Sequence, residues 1–184
     1  ARGWPVSVTF HQNRMVIGGS RDLPNRLWMS KSSDLFNFDL GKALDDDAIE
    51  FGILSDQVNA IKAVVSTRHL LVFTTGAEWM VSGEPLTPEK IQLKRQTSVG
   101  IYADKILAPQ QIDGATIFVS ANGRQLREFL YTDVEQAYQA KDLTILANDI
   151  IRRPRDVDYD KNDCVIYLVL EDGTVSCLTT YRTE

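Results

Sequence analysis

Residues 165–178 read VIYLVLEDGTVSCL, and the class of fold follows from this segment. Six apolar residues lead into Asp172-Gly173, and a second run of strand-forming residues comes directly after it. An Asp-Gly pair between two such runs favours a type I′ turn, because both central residues of that turn need a positive φ. The segment therefore predicts an antiparallel β-hairpin.

The same order of strand, glycine turn and strand occurs twice more, in residues 70–81 and 116–130. The three turns contain Gly76, Gly123 and Gly173, at spacings of 47 and 50 residues. Asn122 precedes Gly123, which gives that turn a hairpin signal as strong as Asp-Gly. Repetition at this period is typical of propellers and other repeat architectures.

Working outward from the hairpins gives four units. Their second strands begin near Met15, Leu70, Thr116 and Cys164, at steps of 55, 46 and 48 residues. Shorter apolar segments predict first strands at residues 6–10, 60–65, 106–108 and 157–159, and fourth strands at residues 48–53 and 91–94. We therefore predict an all-β fold, an antiparallel, propeller-like array of about four three- to four-stranded units.

The strands of the second and fourth units carry apolar residues on both faces. Residues 165, 167 and 169 point one way and residues 166, 168 and 170 the other, and all six are apolar. A strand of this kind needs cover on both sides, which sheets stacked against like sheets provide. We therefore expect four aromatic residues to be buried between sheets: Phe73, Trp79, Phe118 and Tyr167.

One segment has the pattern of a short helix. Asp142 is a suitable N-cap for residues 143–151, where apolar residues recur at helical spacing, and Pro154 would end the helix. Polar residues 132–141 precede it, so the two segments together predict an insertion within the third unit.

Composition places this sequence among ordinary globular proteins. It has 184 residues, 43% hydrophobic and 24% charged, and a net charge of −5. That charge argues against a protein whose main task is to grip nucleic acid, and no apolar run is long enough to span a bilayer. We predict one β-propeller-like domain over residues 1–184. Ala1-Arg2-Gly3 is not a natural start, so we expect the chain to be part of a longer one.

Candidate chemistry is sparse. The acidic segment, residues 34–56, includes Asp45-Asp46-Asp47, but calcium loops space their oxygen ligands in alternation, so a solvated loop is favoured over a calcium site. His11 and His69 lie beside predicted turns, and no triad can be assembled around them. We predict no catalytic, cofactor-binding or metal-binding residues. Two basic clusters could contact phosphate or an acidic neighbour, although solvated charge is favoured: Lys90, Lys94 and Arg95, and Arg152, Arg153 and Arg155.

Several motifs, in their order along the chain, resemble the propeller region of tail nozzle (tail tubular) proteins from short-tailed bacteriophages and prophages. The resemblance covers nearly the whole chain, although family members are considerably longer. The motifs are Phe10-His11-Gln12-Asn13-Arg14, Ile17-Gly18-Gly19-Ser20, Leu27-Trp28-Met29-Ser30 through Asp34-Leu35-Phe36-Asn37-Phe38, Leu71-Val72-Phe73-Thr74-Thr75-Gly76-Ala77-Glu78-Trp79 with Gly83, Leu93-Lys94-Arg95-Gln96-Thr97-Ser98-Val99-Gly100, and Arg127-Glu128-Phe129-Leu130-Tyr131.

The resemblance implies a structural component of the virion tail, made in the bacterial cytoplasm. Its partners would be other copies of itself in a ring, neighbouring tail proteins and, at most transiently, the DNA that passes through during ejection. It implies no enzyme activity and no cofactor. The alternative that remains open is a β-propeller module that binds a glycan or other small ligand in a central channel, with a hydrolase on the same fold as a third possibility.

Overall fold

A computed structural model describes residues 3–54, 59–103, 107–147 and 149–180. The chain divides into two compact units, Ala1–Gly100 and Ile101–Glu184. Each unit contains two antiparallel sheets, and in every sheet the strands are hydrogen-bonded in chain order.

The first unit contains two four-stranded sheets. The first sheet comprises β1 (Ser7–His11), β2 (Arg14–Gly18), β3 (Arg26–Met29) and β4 (Ile49–Gly52). The second comprises β5 (Ile61–Ser66), β6 (Leu70–Thr74), β7 (Glu78–Ser82) and β8 (Gln92–Thr97).

The second unit contains one four-stranded and one three-stranded sheet. The third sheet of the chain comprises β9 (Gln110–Ile112), β10 (Ala115–Val119), β11 (Leu126–Thr132) and β12 (Ala137–Asp142). The fourth comprises β13 (Pro154–Asp160), β14 (Val165–Leu170) and β15 (Val175–Thr179). The predicted all-β array of four three- to four-stranded units is thereby confirmed.

The hairpin turns form at the predicted glycines, but the predicted type I′ conformation was wrong, because Asn122 and Asp172 do not have the positive φ that this turn requires of both central residues. Gly123 and Gly173 adopt φ values of 67° and 84°, a region that costs glycine little. The side chain of Asp172 accepts a hydrogen bond from the Thr174 N–H at 2.9 Å, and Asn122 accepts one from the Arg124 N–H at 2.9 Å. Such Asx contacts stabilise the turn independently of the rest of the fold.

Each unit has its own apolar core between its two sheets. In the first unit, Val16 and Leu27 of the first sheet share a core with Val64 and Val72 of the second. In the second unit, Ile117 of the third sheet packs with the even-numbered residues of β14, which include Ile166 and Leu168. Burying one face of each sheet in this way supplies the main apolar contribution to stability.

The third sheet, β9–β12, differs from the sequence prediction for the third repeat in two places. Its first strand is β9, Gln110–Ile112, not residues 106–108, of which residue 106 lies outside the described part of the chain. Asp113 and Gly114 both have positive φ and make the turn, so the strand ends later than the apolar pattern suggested. Residues 132–141 are not an insertion, because 137–141 belong to β12, which pairs with β11 through Tyr131 and Tyr138.

The predicted helix at residues 143–151 was wrong. The described residues there form isolated turns, with the Ala147 N–H bonded to the Thr144 carbonyl at 2.9 Å. Asp142 does act as a cap, since its Oδ1 accepts from the Thr144 N–H and hydroxyl, both at 2.8 Å. Thr144 is buried, whereas Leu146 is 98% exposed, so the apolar residues do not share one buried face.

Three of the four aromatic residues are buried as predicted, namely Phe73, Trp79 and Phe118. Tyr167 is the exception, because 39% of it is exposed. Burial alternates along β14, with Ile166, Leu168 and Leu170 in the core and Tyr167 and Val169 facing outward. Apolar residues on a strand face therefore do not by themselves show that another sheet of the same chain packs against that face.

Candidate functional site

The outward side of the fourth sheet is a mixed apolar and acidic surface, which we call the Tyr167 face. Cross-strand register places Asp158, Tyr167 and Cys177 side by side on neighbouring strands. Val169 and Val175, the next pair along, are 40% and 56% exposed. The face is defined by one row from each strand: Asp156, Asp158 and Asp160 on β13, Val165, Tyr167 and Val169 on β14, and Val175, Cys177 and Thr179 on β15.

The outward side of the first sheet is a second apolar surface, which we call the Phe10 face. Val8 and Phe10 of β1 are 58% and 60% exposed. Ser7 and His11, on the opposite side of the strand, face β5 and form hydrogen bonds with it, so Val8 and Phe10 point away from β5. The face continues across the sheet by register and is defined by Val8, Phe10, Met15, Ile17, Trp28 and the ion pair Arg26–Glu50, which is closed at 2.6 Å. Apolar surface of this extent commonly marks an interaction site.

The structure brings His11 against Ser66, a contact that the sequence prediction missed. His11 Nδ1 lies 2.8 Å from Ser66 Oγ, a hydrogen bond whose donor depends on the imidazole tautomer. Both residues line a cavity of about 410 Å³. A serine paired with a histidine is the arrangement of nucleophilic hydrolases, which orient the base with a third group. The same bond also joins the ends of β1 and β5, and this is a sufficient structural reason for it.

Burial lowers the pKa of His11, and the neighbouring His69 lowers it further. A histidine whose pKa is lowered by folding contributes stability above its ordinary value of about 6.5, and that contribution is lost as the pH falls through the lowered pKa. We therefore expect the melting temperature to fall between about pH 7 and about pH 5.

His11→Gln, which cannot titrate, should show a smaller fall over the same pH range, measured by thermal denaturation at each pH. His69→Gln is the matched control. The pKa of His69 is also lowered, first by burial and then by Arg68, so this variant reports the share of the second histidine together with its effect on His11. If His11→Gln showed the same pH dependence as the wild type, protonation of His11 would not be the cause of the fall in melting temperature.

The acidic segment is not simply a solvated loop, because Asp47, the last residue of the aspartate triplet, holds the chain in place. Asp47 is buried and accepts hydrogen bonds from the N–H groups of Lys42 and Leu44, and its other oxygen lies 2.9 Å from Lys31 Nζ. The Lys31 contact, followed by the Leu44 N–H, lowers the pKa of Asp47 to about 2. Asp45 and Asp46 are exposed, as expected of a solvated loop, and Asp56 lies outside the described residues.

Arg14 is the buried partner of this segment. Only 2% of it is exposed, and it donates to the carbonyls of Ser30 at 2.7 Å, Asp47 at 2.6 Å and Asp45 at 2.8 Å. Two residues of the aspartate triplet therefore bind Arg14 through their backbone carbonyls. Across the described residues, no group of three or more His, Cys, Asp or Glu side chains is arranged to hold a metal ion.

Glu78 is another buried ionisable residue with a structural explanation. Burial raises its pKa, against the hydrogen bonds from the Thr97 hydroxyl and the Val99 N–H that favour the charged form. These bonds attach the end of β8 and the residues after it to the start of β7. The carboxylate thus acts as an internal tether within the first unit.

The second basic cluster lies beside a polar cavity. Arg153 and Arg155 both contact Glu171, at 3.4 Å and 3.1 Å, and Arg152 lies 3.8 Å from Asp149. The cavity, of about 600 Å³, is lined by three arginines and three carboxylates among other residues: Asn122, Arg124, Asp149, Ile151, Arg152, Arg153, Glu171 and Asp172. In the other cluster, Lys90, Lys94 and Arg95 are exposed.

The described chain contains no helix long and apolar enough to cross a membrane.

Comparisons by sequence find no relative: no protein-family model matches the chain, and no curated protein does. Comparisons by structure do find similar folds. The computationally designed Ika4 protein superimposes with a TM-score of 0.57 at 12% identity, over 98% of this chain and 94% of its own. The β-propeller domain of Cps50 (Swd1) from Myceliophteria thermophila superimposes with a TM-score of 0.58 at 11% identity, over 98% of this chain and 55% of its own.

Virginiamycin B lyase from Staphylococcus aureus superimposes with a TM-score of 0.54 at 10% identity, over 97% of this chain and 56% of its own. Identities this low establish only the fold, which is that of β-propellers. The chain spans about half the length of these two natural proteins. It spans nearly all of the designed one.

Proposed function

We propose that this chain is a structural, non-enzymatic propeller module of a bacteriophage or prophage tail. It belongs to the nozzle or tail tube, associates with copies of itself and with neighbouring tail proteins, and contributes to the conduit through which DNA is ejected. The sequence motifs that resemble tail nozzle proteins support the tail assignment, and the fold is compatible with their propeller region.

The observation that carries the structural role is the pair of exposed apolar faces on the first and fourth sheets. Phe10 and Val175 are each more than half exposed, at 60% and 56%. Exposed apolar strands on two separate sheets favour a component that is covered by other protein in an assembly. An enzyme would instead concentrate its unusual residues around one pocket. The buried charges described above, Arg14, Asp47 and Glu78, are each engaged in internal contacts.

The conduit role requires that DNA is not held tightly. A net charge of −5 gives no general attraction for phosphate, and the Tyr167 face adds three aspartates. Tight binders carry a basic surface and lose affinity steeply as salt rises. A conduit that bound phosphate tightly would stall the genome.

The tail assignment is tested on particles. We expect the protein to be detected by mass spectrometry in the tail fraction of phage particles produced by its source strain, at a fixed ratio to the other tail proteins. A fixed ratio is the mark of an assembled component. Its absence from particles that otherwise contain complete tails would overturn the proposal.

A second measurement on the same proposal uses fluorescence anisotropy with duplex DNA at low and at physiological salt. We expect weak binding that disappears at physiological salt, and Lys94→Glu serves as a control for the exposed cluster on β8. Sub-micromolar affinity at physiological salt would make this a nucleic-acid-binding module and overturn the conduit role.

A small-ligand binding module is the second candidate, and the cavity beside Arg124, Arg152 and Arg153 favours it. Arginines among carboxylates would suit a polar ligand with an anionic group. Native mass spectrometry that detects such a ligand on the wild type, and no ligand on Arg152→Ala, would support this candidate over the structural one.

A further inference from the structure

We propose that the cavity beside His11 and Ser66 binds a neutral, polyhydroxylated ring, which is the chemistry of a sugar residue. All of its described lining residues belong to the first unit. Its volume of about 410 Å³ falls within the range of about 300–1,000 Å³ that is usual for small-molecule sites. The inference goes beyond the proposed function and is independent of the tail assignment.

The lining combines hydrogen-bonding groups of one kind with a smaller apolar part. Four lining residues carry groups that can both donate and accept a hydrogen bond: His11, Asn13, Ser33 and Ser66. Every hydroxyl of a sugar has the same double capacity. Phe10, which is 60% exposed, and the half-buried Leu35 add apolar surface. An aromatic ring beside such polar groups suits a sugar, because a sugar ring has C–H groups on its face and hydroxyls around its edge.

The loops that carry Asn13 and Ser33 are fixed before any ligand binds. Gln12, Asn13 and Ser33 have φ values of 46°, 58° and 63°, and the Ser33 N–H donates to the Asn13 carbonyl at 2.9 Å. The amide of Gln12 is used internally, because its Nε2 donates to the Gly83 carbonyl at 3.0 Å and its Oε1 accepts from the Leu86 N–H at 2.8 Å. Gln12 therefore positions the turn, and binding does not have to order it.

His11 keeps one ring nitrogen available for a ligand. Its Nδ1 lies 2.8 Å from Ser66 Oγ, whereas its Nε2 makes no hydrogen bond within the described part of the chain. Burial, and then His69, lowers the pKa of His11, so the imidazole is neutral at about pH 7. A neutral imidazole with Nδ1 engaged offers Nε2 as a donor or an acceptor, according to its tautomer. The contact that joins β1 to β5 thereby also orients a group that can bind a hydroxyl.

The charges around the cavity favour a neutral ligand over an ionic one. Arg14 is a lining residue, but its N–H groups already donate to the carbonyls of Ser30, Asp45 and Asp47. Asp46 and Asp47 also lie close enough to interact with its charge, so an anion gains little there. No carboxylate is among the described residues that line the cavity, so a cation would lack a partner as well.

Saturation-transfer NMR with a panel of single sugars tests the proposal. The neutral members are glucose, galactose, mannose and N-acetylglucosamine, and the anionic members are glucuronate and N-acetylneuraminate. We expect saturation transfer to at least one neutral sugar and to neither anionic one. The neutral sugar that binds is then titrated to obtain its dissociation constant.

Three substitutions remove lining side chains and leave the backbone conformation available. Asn13→Gly and Ser33→Gly retain a positive φ, which glycine adopts readily. Each should weaken binding about threefold to tenfold, the usual range for one lost hydrogen bond. Phe10→Ala, at an exposed position, should weaken binding by at least as much, because it removes the apolar surface that the sugar ring contacts.

Gln136→Gly is the matched control. It makes the same kind of change at an exposed residue with a φ of 50° that is not among the described lining residues, so it should bind the sugar as the wild type does. Circular dichroism checks that all four variants fold.

The absence of saturation transfer to every neutral sugar would overturn the proposal, as would an affinity that all three cavity variants retain. Binding confined to the anionic sugars would assign a different chemistry to the cavity and would also overturn it. None of these results decides the tail assignment, which depends on the particle measurement.

Discussion

Replacing Phe73 with alanine is expected to lower the free energy of unfolding by about 3–5 kcal/mol. Phe73 is fully buried in the middle of the second sheet, where all five residues of β6 are buried. Its cross-strand neighbours are Ala63 on β5 and Glu78 on β7, whose backbones are held in the sheet by pairing. The cost therefore combines lost apolar burial with the cavity that remains.

Urea denaturation of the wild type and Phe73→Ala measures this difference. Phe36→Ala is the matched control, because Phe36 is 87% exposed and its removal should change the free energy by less than about 0.5 kcal/mol. A loss below about 1 kcal/mol for Phe73→Ala would mean that β6 is not covered on both faces.

Replacing Arg14 with methionine is expected to cost about 3–5 kcal/mol of unfolding free energy, because three carbonyls each lose a charge-assisted hydrogen bond. Methionine fills much of the same volume but donates no hydrogen bonds, so the carbonyls of Ser30, Asp45 and Asp47 lose the donor that they share. Charge-assisted bonds are stronger than neutral ones, and carbonyls left buried without a donor carry a desolvation penalty.

The same denaturation assay measures this variant, with Arg21→Met as the control. The Arg21 side chain is 75% exposed and pairs with Asp22, so its loss should change the free energy by less than about 1 kcal/mol. Limited proteolysis adds a local measurement, because Arg14→Met should release the acidic segment and expose it to cleavage. Equal stability of the two variants would show that Arg14 is not the anchor of this segment.

Local chemistry accounts for the parts of the fold that were predictable. Asn122-Gly123 and Asp172-Gly173 specify turns through contacts within four residues, and alternating or continuous apolar runs specify the strands on either side. The fourfold repeat followed from the spacing of these signals. The helix prediction failed at residues 143–151, where a cap and an apolar pattern were present but Thr144 was needed in the core. Tertiary burial overrode a weak local preference there.

The His11–Ser66 pair and the hydrogen bonds of Arg14 depend on contacts between residues that are distant in the sequence. Ser66 lies 55 positions after His11, and Arg14 reaches carbonyls up to 33 positions away. A single sequence contains no signal for either pair, because a polar residue beside a turn looks the same whether it is solvated or buried.

The sequence by itself determined that this is an all-β chain of repeated antiparallel units, with apolar residues on both sides of several strands. Only the tertiary structure decided which of those sides are covered. Phe73 and Tyr167 occupy equivalent positions in the pattern, yet one is buried and the other is 39% exposed. The physical reason is that a period of two residues assigns side chains to faces, whereas burial depends on whether another sheet lies against the face.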